Sequence, residues 1–407
     1  MSRRNRGPVP AGVPTFDRRD ILRMFGAVAA VGATGGLAAC AAKPALSQGQ
    51  VPLSGLTITI GLVAPAVGPF AKIGDDIQKG FKLYLDNNQG LLGPHKVDLK
   101  VVEEGATVES AVNAVKGLLG QNVLAIAGIA NPAALPAVAA AVQDAKVPMV
   151  SVNAAPNTLT NALFMWRVSY VEGEAGRALS QYAYAEGTRA YLLYEDSASG
   201  RAEAEAFRAG FVDLGGKIVG EAAGTGNFGT RLNAALNASA NTVFACHSGA
   251  DAIALLAAYG SSGFASPGGA KLLGTGSLTE TIDLTKIGKL PDHVYTSLYY
   301  AADLDNEPNR RFVSSYHKTH GVAPSGYAMA AYDGASVIDK ALVLTDGTPS
   351  GSSLNQAFSL LGQVDSPRGT WTFNINRSPQ QKWYLRKLHL DGMVPANLLD
   401  TDLTVLG

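Results

Sequence analysis

From Leu56 onward the hydrophobic positions switch repeatedly between two periods. Leu56 to Val63 is short, β-branched and bounded by Gly55 and Pro65, which predicts a strand. Ile73, Ile77, Phe81 and Tyr84 then recur every three or four residues, the stripe of an amphipathic helix. Val97, Leu99 and Val101 alternate with charged neighbours, as a strand does, and Val108, Val112, Val115 and Leu119 resume the helical period. Buried strands are expected within Val123–Ile129 and Val147–Val152, with a helix over Pro136–Gln143 between them. A second series begins with a strand at Tyr191–Tyr194 and a helix through Ala204, Phe207, Phe211 and Leu214 that stops at Gly215-Gly216. Strands at Lys217–Gly220, Thr242–Ala245 and Lys271–Gly274 follow, with helical spacing at Phe228, Leu232 and Leu236 and again from Ala252 to Tyr259. A long helix over Tyr327–Leu344 and paired strands around Thr370–Phe373 and Lys382–Leu390 close the pattern. Two runs of strand–helix–strand units predict an α/β protein with two parallel sheets flanked by helices, in two lobes.

Composition narrows what such a protein does. The 407 residues carry 33 basic and 33 acidic side chains, and only 7% are aromatic. That balance argues against a polybasic nucleic-acid surface, and the aromatics against a base-stacking platform. At roughly 150 residues per domain the length suits two or three domains, a core that needs no disulfide framework. Two cysteines could not supply one.

The first forty residues read as an address. Asp17-Arg18-Arg19-Asp20 precedes an uncharged stretch, Met24 to Ala39, too short for a membrane span and the right size for a signal core. The paired arginines resemble a twin-arginine export signal, and Leu37-Ala38-Ala39-Cys40 resembles a bacterial lipobox. The resemblance implies cleavage after residue 39 and diacylglycerol on the Cys40 sulfur. A short membrane helix, or a presequence with Cys40 an ordinary thiol, is the alternative. Removing the signal leaves 27 basic and 31 acidic residues, a net charge of −4. Residues 41–54 have no period and read as a flexible stalk. Cys246 is then the one thiol without lipid, so no intramolecular disulfide is available.

Catalytic chemistry finds little support. Ser248 follows a predicted strand and precedes a helix, the setting of a nucleophile elbow, but Cys246 and Ala250 stand where that motif has glycines. Asp283 and His293 complete a serine–acid–histidine order, a match that six histidines make easy. Gly274-Thr275-Gly276 lacks the rest of a dinucleotide fingerprint. His317 and His320 lack partners at metal-ligand spacing and read as solvated surface. No cofactor or metal is expected. Binding suits the layout better: the loops after the strands (64–68, 129–132, 152–156, 195–200, 246–249 and 274–278) are small and polar, and in open α/β sheets ligands sit there.

Those loops, in this order, resemble the type I periplasmic binding proteins of the branched-chain amino acid and amide family. Val67-Gly68-Pro69-Phe70, Asn88–Gly93, Gly128–Pro136, Val147–Val152, Arg167, Asn227-Phe228, Gly249–Asp251 and Gly369–Phe373 carry the likeness, which runs from Leu56 to about Gly392. It implies a monomeric, extracytoplasmic, lipid-anchored protein that captures a solute by lobe closure and delivers it to an ABC permease and its ATPase. A sensor lipoprotein feeding a receptor, or a serine hydrolase using Ser248, is the alternative. The implied organisation is signal peptide 1–39, lipidated cysteine and stalk 40–54, lobe 1 at 55–168 plus 302–378, and lobe 2 at 169–301 plus 379–407, joined by three crossings.

The family's site residues map unevenly. A serine that holds the ligand carboxylate falls at Asn131, and an Ala–Thr turn at Ala154–Ala155, with Asn153 in the same loop; the Asn131 amide and the Ala154 and Ala155 N–H groups are the donors expected to remain. Cleft tyrosines fall at Ser199 and Ser248, and a cleft aromatic persists as Tyr327, which also suits plain core packing. The acid that holds an α-ammonium falls at Gly276. Burying an ammonium with no carboxylate is costly, so the ligand is expected to be an amide, a urea-like solute or a carboxylic acid, unless Glu280 or Asp251 takes the acid's place.

Overall fold

The structure, a computed structural model, describes residues 55–266, 269–345 and 347–407. The signal, Cys40 and the stalk expected over 1–54 lie outside the described residues. The described residues form one compact unit that contains every element named below.

The first sheet has the order β2 (Leu91–Leu92), β3 (His95–Glu103), β1 (Thr57–Ala64), β4 (Ala125–Gly128), β5 (Met149–Ser151), β6 (Met165–Arg167). All its pairs are parallel except β2 with β3. Alternate side chains go to opposite faces. Ile58, Ile60 and Leu62 pack with helix α1 (Ala71–Asn87), while Val63 turns to Val115 and Leu118 of α2 (Val108–Leu119) and Val138 of α3 (Leu135–Ala145). The α2 start is set locally: Thr107 Oγ1 accepts the Ser110 N–H at 3.1 Å, and Ser110 returns the bond to the Thr107 backbone.

After β6 the chain crosses to a second unit. This comprises α4 (Glu174–Glu186), β7 (Arg189–Tyr194), α5 (Ala198–Asp213), β8 (Lys217–Ala223), α6 (Phe228–Asn237), β9 (Thr242–Cys246), α7 (Gly249–Gly260), β10 (Lys271–Thr275), α8 (Ser277–Glu280) and β11 (Val294–Leu298). The β7 to β11 pairs are parallel. Here too the period of two splits the core: Val243, Ala245 and Leu272 face α6 and α7, while Leu192, Phe244 and Leu273 face Phe207 and Phe211 of α5. The chain then returns to the first unit for α9 (Glu307–His320), α10 (Gly326–Val343) and α11 (Gly351–Phe358), and α10 packs along α1 in the first core. A last crossing adds β12 (Thr372–Phe373), β13 (Pro379–Asp391) and β14 (Val394–Leu406) to the second sheet, antiparallel, with the order β12-β13-β11-β10-β9-β7-β8 and β14 on β13. The fold is therefore α/β, two lobes of parallel sheet joined by three crossings.

The predicted alternation stands, with eight elements added to it: β2, β6, α4, α8, β11, α9, α11 and β14. β6 is only three residues long, and α4 buries Ala175, Gly176, Ala178 and Ala183, too small to make a visible stripe. β11 is buried at every position and so carries no alternation. β14 escapes because the β13–β14 pairing slips twice, at Trp383/Tyr384 and Leu385/Arg386, which breaks the period of two. Among the described residues no strand pairs with its outer edge, where Asp400, Thr401 and Asp402 are exposed.

One guanidinium ties the crossings together. Arg368 is buried, ion-paired with Asp333 of α10 at 2.8 Å, and donates to the Val168 carbonyl at 2.6 Å in the first crossing. It lies over the Tyr299 ring of the second crossing (5.1 Å) and donates to Gln381 of the third. Gln381 in turn donates to the Ser169 carbonyl at 2.6 Å, closing the ring of contacts. Burial pushes the Asp333 carboxyl up, opposed by Arg368.

Candidate functional site

Parallel strands all end at one edge, so each lobe offers a single rim of loops. β1, β4 and β5 end at Ala64, Gly128 and Ser151; β7, β9 and β10 end at Tyr194, Cys246 and Thr275. The two rims meet around Tyr170 of the first crossing. Burial pushes its phenol well up, and Tyr327 from α10, Glu203, Tyr299 and Cys246 from β9 are close enough to add to the shift. Tyr327, 7% exposed, is buried in the first core, close enough to Tyr170 to add to that shift.

The lobe 1 rim is held rigidly. Gly128 has φ +119° and a Cβ there would lie 2.0 Å from the Val63 carbonyl oxygen; the next residue, Ile129, is β-branched yet sits at φ +67°. Such backbone strain persists only where the surroundings over-determine it. The surroundings are a fully buried carboxylate: Glu104 accepts the Ala130 N–H at 2.7 Å and the Asn131 N–H at 2.8 Å. Burial pushes Glu104 up to about 7, against the pull of those two bonds. Asn131 uses its Oδ1 to cap the turn at Ala133 (3.1 Å), which leaves its amide nitrogen without a partner among the described residues. Asn153 donates to the Ala130 carbonyl at 2.6 Å and so braces the loop. The expectation for Ala155 is corrected: its N–H donates to the Tyr170 carbonyl at 2.9 Å, because residues 155 and 171 form a β-bridge. Ala154 keeps an N–H with no partner among the described residues.

The lobe 2 rim is built on hydroxyls and carboxylates. Ser248, before α7, donates from both its N–H and its Oγ to one oxygen of Glu195, each at 2.7 Å. Burial pushes the Glu172 carboxyl up, with the nearby Ser199 hydroxyl opposing that push. Gly276 precedes α8, and a Cβ there would lie 2.6 Å from Cδ1 of Leu298. At the place where the family's ammonium-binding acid falls, this chain thus has no side chain and one Leu298 methyl close by. Glu280 is engaged elsewhere, accepting the Gly326 N–H at 2.8 Å and pairing with Arg386; Asp251 accepts the Gly226 N–H at 3.3 Å.

Sequence reasoning missed Glu104, Glu172, Glu195 and Tyr170. Position gave a signal for two of them: Glu104 and Glu195 follow the last residues of β3 and β7 and are thereby delivered to the rim. The hydrolase arrangement fails on topology. His293 precedes β11 and Ser248 follows β9, opposite ends of parallel strands, about 17 Å apart along a five-residue strand. Asp283 is occupied with Thr285. His247, beside Ser248, is fully buried edge-on to Phe228 with both ring nitrogens unpaired, and burial lowers it to about 4. His317 is exposed in a groove of about 760 Å³ against α9, and His320 packs on Tyr316. Among the described residues no three potential metal ligands come together, and no helix is long and apolar enough to cross a membrane.

Comparison with known proteins agrees with this geometry. The Leu/Ile/Val-binding protein homolog 6 of Brucella melitensis is 28% identical over 343 residues, spanning 81% of this chain and 87% of that protein. An ABC transporter substrate-binding protein from Sphaerobacter thermophilus is 28% identical with a TM-score of 0.79, covering 85% of this chain and 97% of that one. A solute-binding protein of R. palustris in complex with 4-hydroxybenzoate shares the fold at a TM-score of 0.78 and 24% identity, over 86% and 97% of the two chains. The sequence profile of the periplasmic binding protein family matches residues 57–392, the two lobes from β1 to the β13–β14 turn, and the chain belongs to that family: it is a binding protein and not an enzyme.

Proposed function

We propose that the chain is the solute-capturing component of an ABC importer, tethered outside the cell membrane through lipid on Cys40 and handing its cargo to a permease driven by an ATPase. The lobes close on the solute and the permease reads the closed form. A solute touching both rims favours closure only through its higher affinity for the closed state. A micromolar complex corresponds to about −8.2 kcal/mol, enough to shift an open–closed balance strongly.

The solute is a small polar molecule without a free α-ammonium, an amide or urea-like compound before a carboxylic acid. The observation that carries this reading is Leu298, whose Cδ1 methyl occupies the space beside Gly276 while Glu280 is spent on Arg386 and Gly326. Glu172 adds a preference for N–H donors over a second carboxylate, and the Asn131 amide nitrogen suits the solute's carbonyl oxygen. The test is a thermal-shift panel on residues 41–407 with acetamide, urea, isobutyramide, benzoate, 4-hydroxybenzoate, leucine and valine. A ligand at a hundredfold excess over Kd stabilises by about 2.7 kcal/mol. Stabilisation by the amides or urea alone supports the reading. Stabilisation by leucine or valine overturns it.

A further inference from the structure

The N-terminus of α10 belongs to lobe 1, yet Gly326 in its first turn is hydrogen-bonded by groups from lobe 2 and the second crossing. Gly326 donates its N–H to Glu280 at 2.8 Å, and Glu280 ends α8, the short helix after β10. Arg386 of β13, 2% exposed, pairs with the other Glu280 oxygen and is itself fixed by Thr296 at 3.2 Å. The Gly326 carbonyl accepts the Tyr299 hydroxyl at 3.2 Å. Between these polar contacts stands Leu298: a Cβ on Gly326 would lie 2.7 Å from its Cδ2, and a Cβ on Gly276 2.6 Å from its Cδ1. Two glycines from opposite lobes therefore close on the two methyls of one leucine. On the lobe 1 side Ser325 caps the same helix, its Oγ accepting the Ala328 N–H and donating to Asp76 at 2.8 Å. The anionic Glu280 thus sits at the positive end of an 18-residue helix.

We propose that this joint is an inter-lobe latch, in which Glu280 seated on the α10 N-terminus holds the lobes shut before any solute arrives, while Leu298 only fills the space between Gly276 and Gly326. Opening the lobes pulls Gly326 away from Glu280 and empties the leucine contact, so each side of the balance has a definite structural cost. A latch that populates the closed form in advance lowers the conformational penalty that every solute otherwise meets. Glu280 acts as a positioning residue, independent of which solute is bound.

The test is small-angle scattering of residues 41–407 in buffer with no solute added, alongside thermal melts for cooperativity. A closed chain of this size has a radius of gyration near about 20 Å. Glu280→Ala and Gly326→Ala are each expected to raise that radius while still melting cooperatively, the second by pushing a methyl into Leu298. Adding Leu298→Ala to Gly326→Ala makes room for the methyl and is expected to bring the radius back toward that of the wild type, a rescue that generalised loss of stability would not produce. Should Glu280→Ala fail to fold, the Gly326→Ala and Leu298→Ala pair decides alone. Wild-type scattering from either foldable single variant, or no recovery in the double variant, overturns the latch.

Discussion

The two rims of the cleft solve the same problem by different chemistry. In lobe 1 a buried carboxylate, Glu104, absorbs the N–H groups of Ala130 and Asn131 and holds a strained Ile129 in place. In lobe 2 the carboxylates are nearer the surface and stand beside hydroxyls, Glu195 with Ser248 and Glu172 with Ser199. One rim is a fixed wall whose free donors are few; the other is a set of short side chains that re-orient by a single torsion. If the solute lies between the rims, as proposed, the first selects for shape and the second adjusts to it. It also shows that strand-end N–H groups are no guide to anion binding until their internal partners have been counted.

The comparison breaks most completely if the lobes lose their common frame. Arg368→Ala leaves Asp333 buried without a counter-charge and the Val168 carbonyl without its donor, and is expected to cost about 3–5 kcal/mol in urea unfolding. A smaller effect sharpens the lobe 1 side. Glu104 is raised from 4.5 to about 7 in the folded chain, so its stabilising contribution is full below about pH 4.5 and is lost as pH rises through about 7. Unfolding free energies measured from pH 5 to 8 should fall with pH in the wild type, by at most about 1.4 kcal/mol per pH unit for each such group. Glu104→Gln should flatten that slope without abolishing it, since burial likewise pushes Glu174 and Glu203 up to about 7. Smallest is Ser248→Ala, which removes one of the two bonds to Glu195 and keeps the backbone one. About 1 kcal/mol of stability is expected to go, with the melting transition still cooperative. An effect of Ser248→Ala as large as that of Arg368→Ala would erase the distinction between an adjustable and a rigid rim.

The architecture could be read from periodicity because Ile58, Ile60 and Leu62 alternate with Thr57, Thr59 and Gly61, and because Phe207 and Phe211 mark a helix by spacing alone. The rim loops could be placed too, since a loop after a parallel strand has only one edge to occupy. What each loop residue does there could not be read. Asn153 and Asn131 are the same amino acid two loops apart, and only the hydrogen bond from Asn153 to Ala130 separates brace from donor. Ala155 is uncommitted in the sequence and loses its N–H to a β-bridge with a residue of the crossing. Gly276 announced a missing acid, but the side chain close to its place, Leu298, comes from another strand and carries no mark of that role in its own segment.

The long outer strand β14 has a consequence for life at high density. The strand runs thirteen residues, and although the Leu399 N–H is taken up by Asp303, the remaining outer edge is long enough to template a strand from a neighbouring copy. Pro395 withholds an N–H near one end, and Asp400 and Asp402 put like charges on the exposed stretch, so two such edges brought together meet repulsion and a gap in their ladder. Copies packed side by side at a surface would therefore slide past one another without zipping into aggregates.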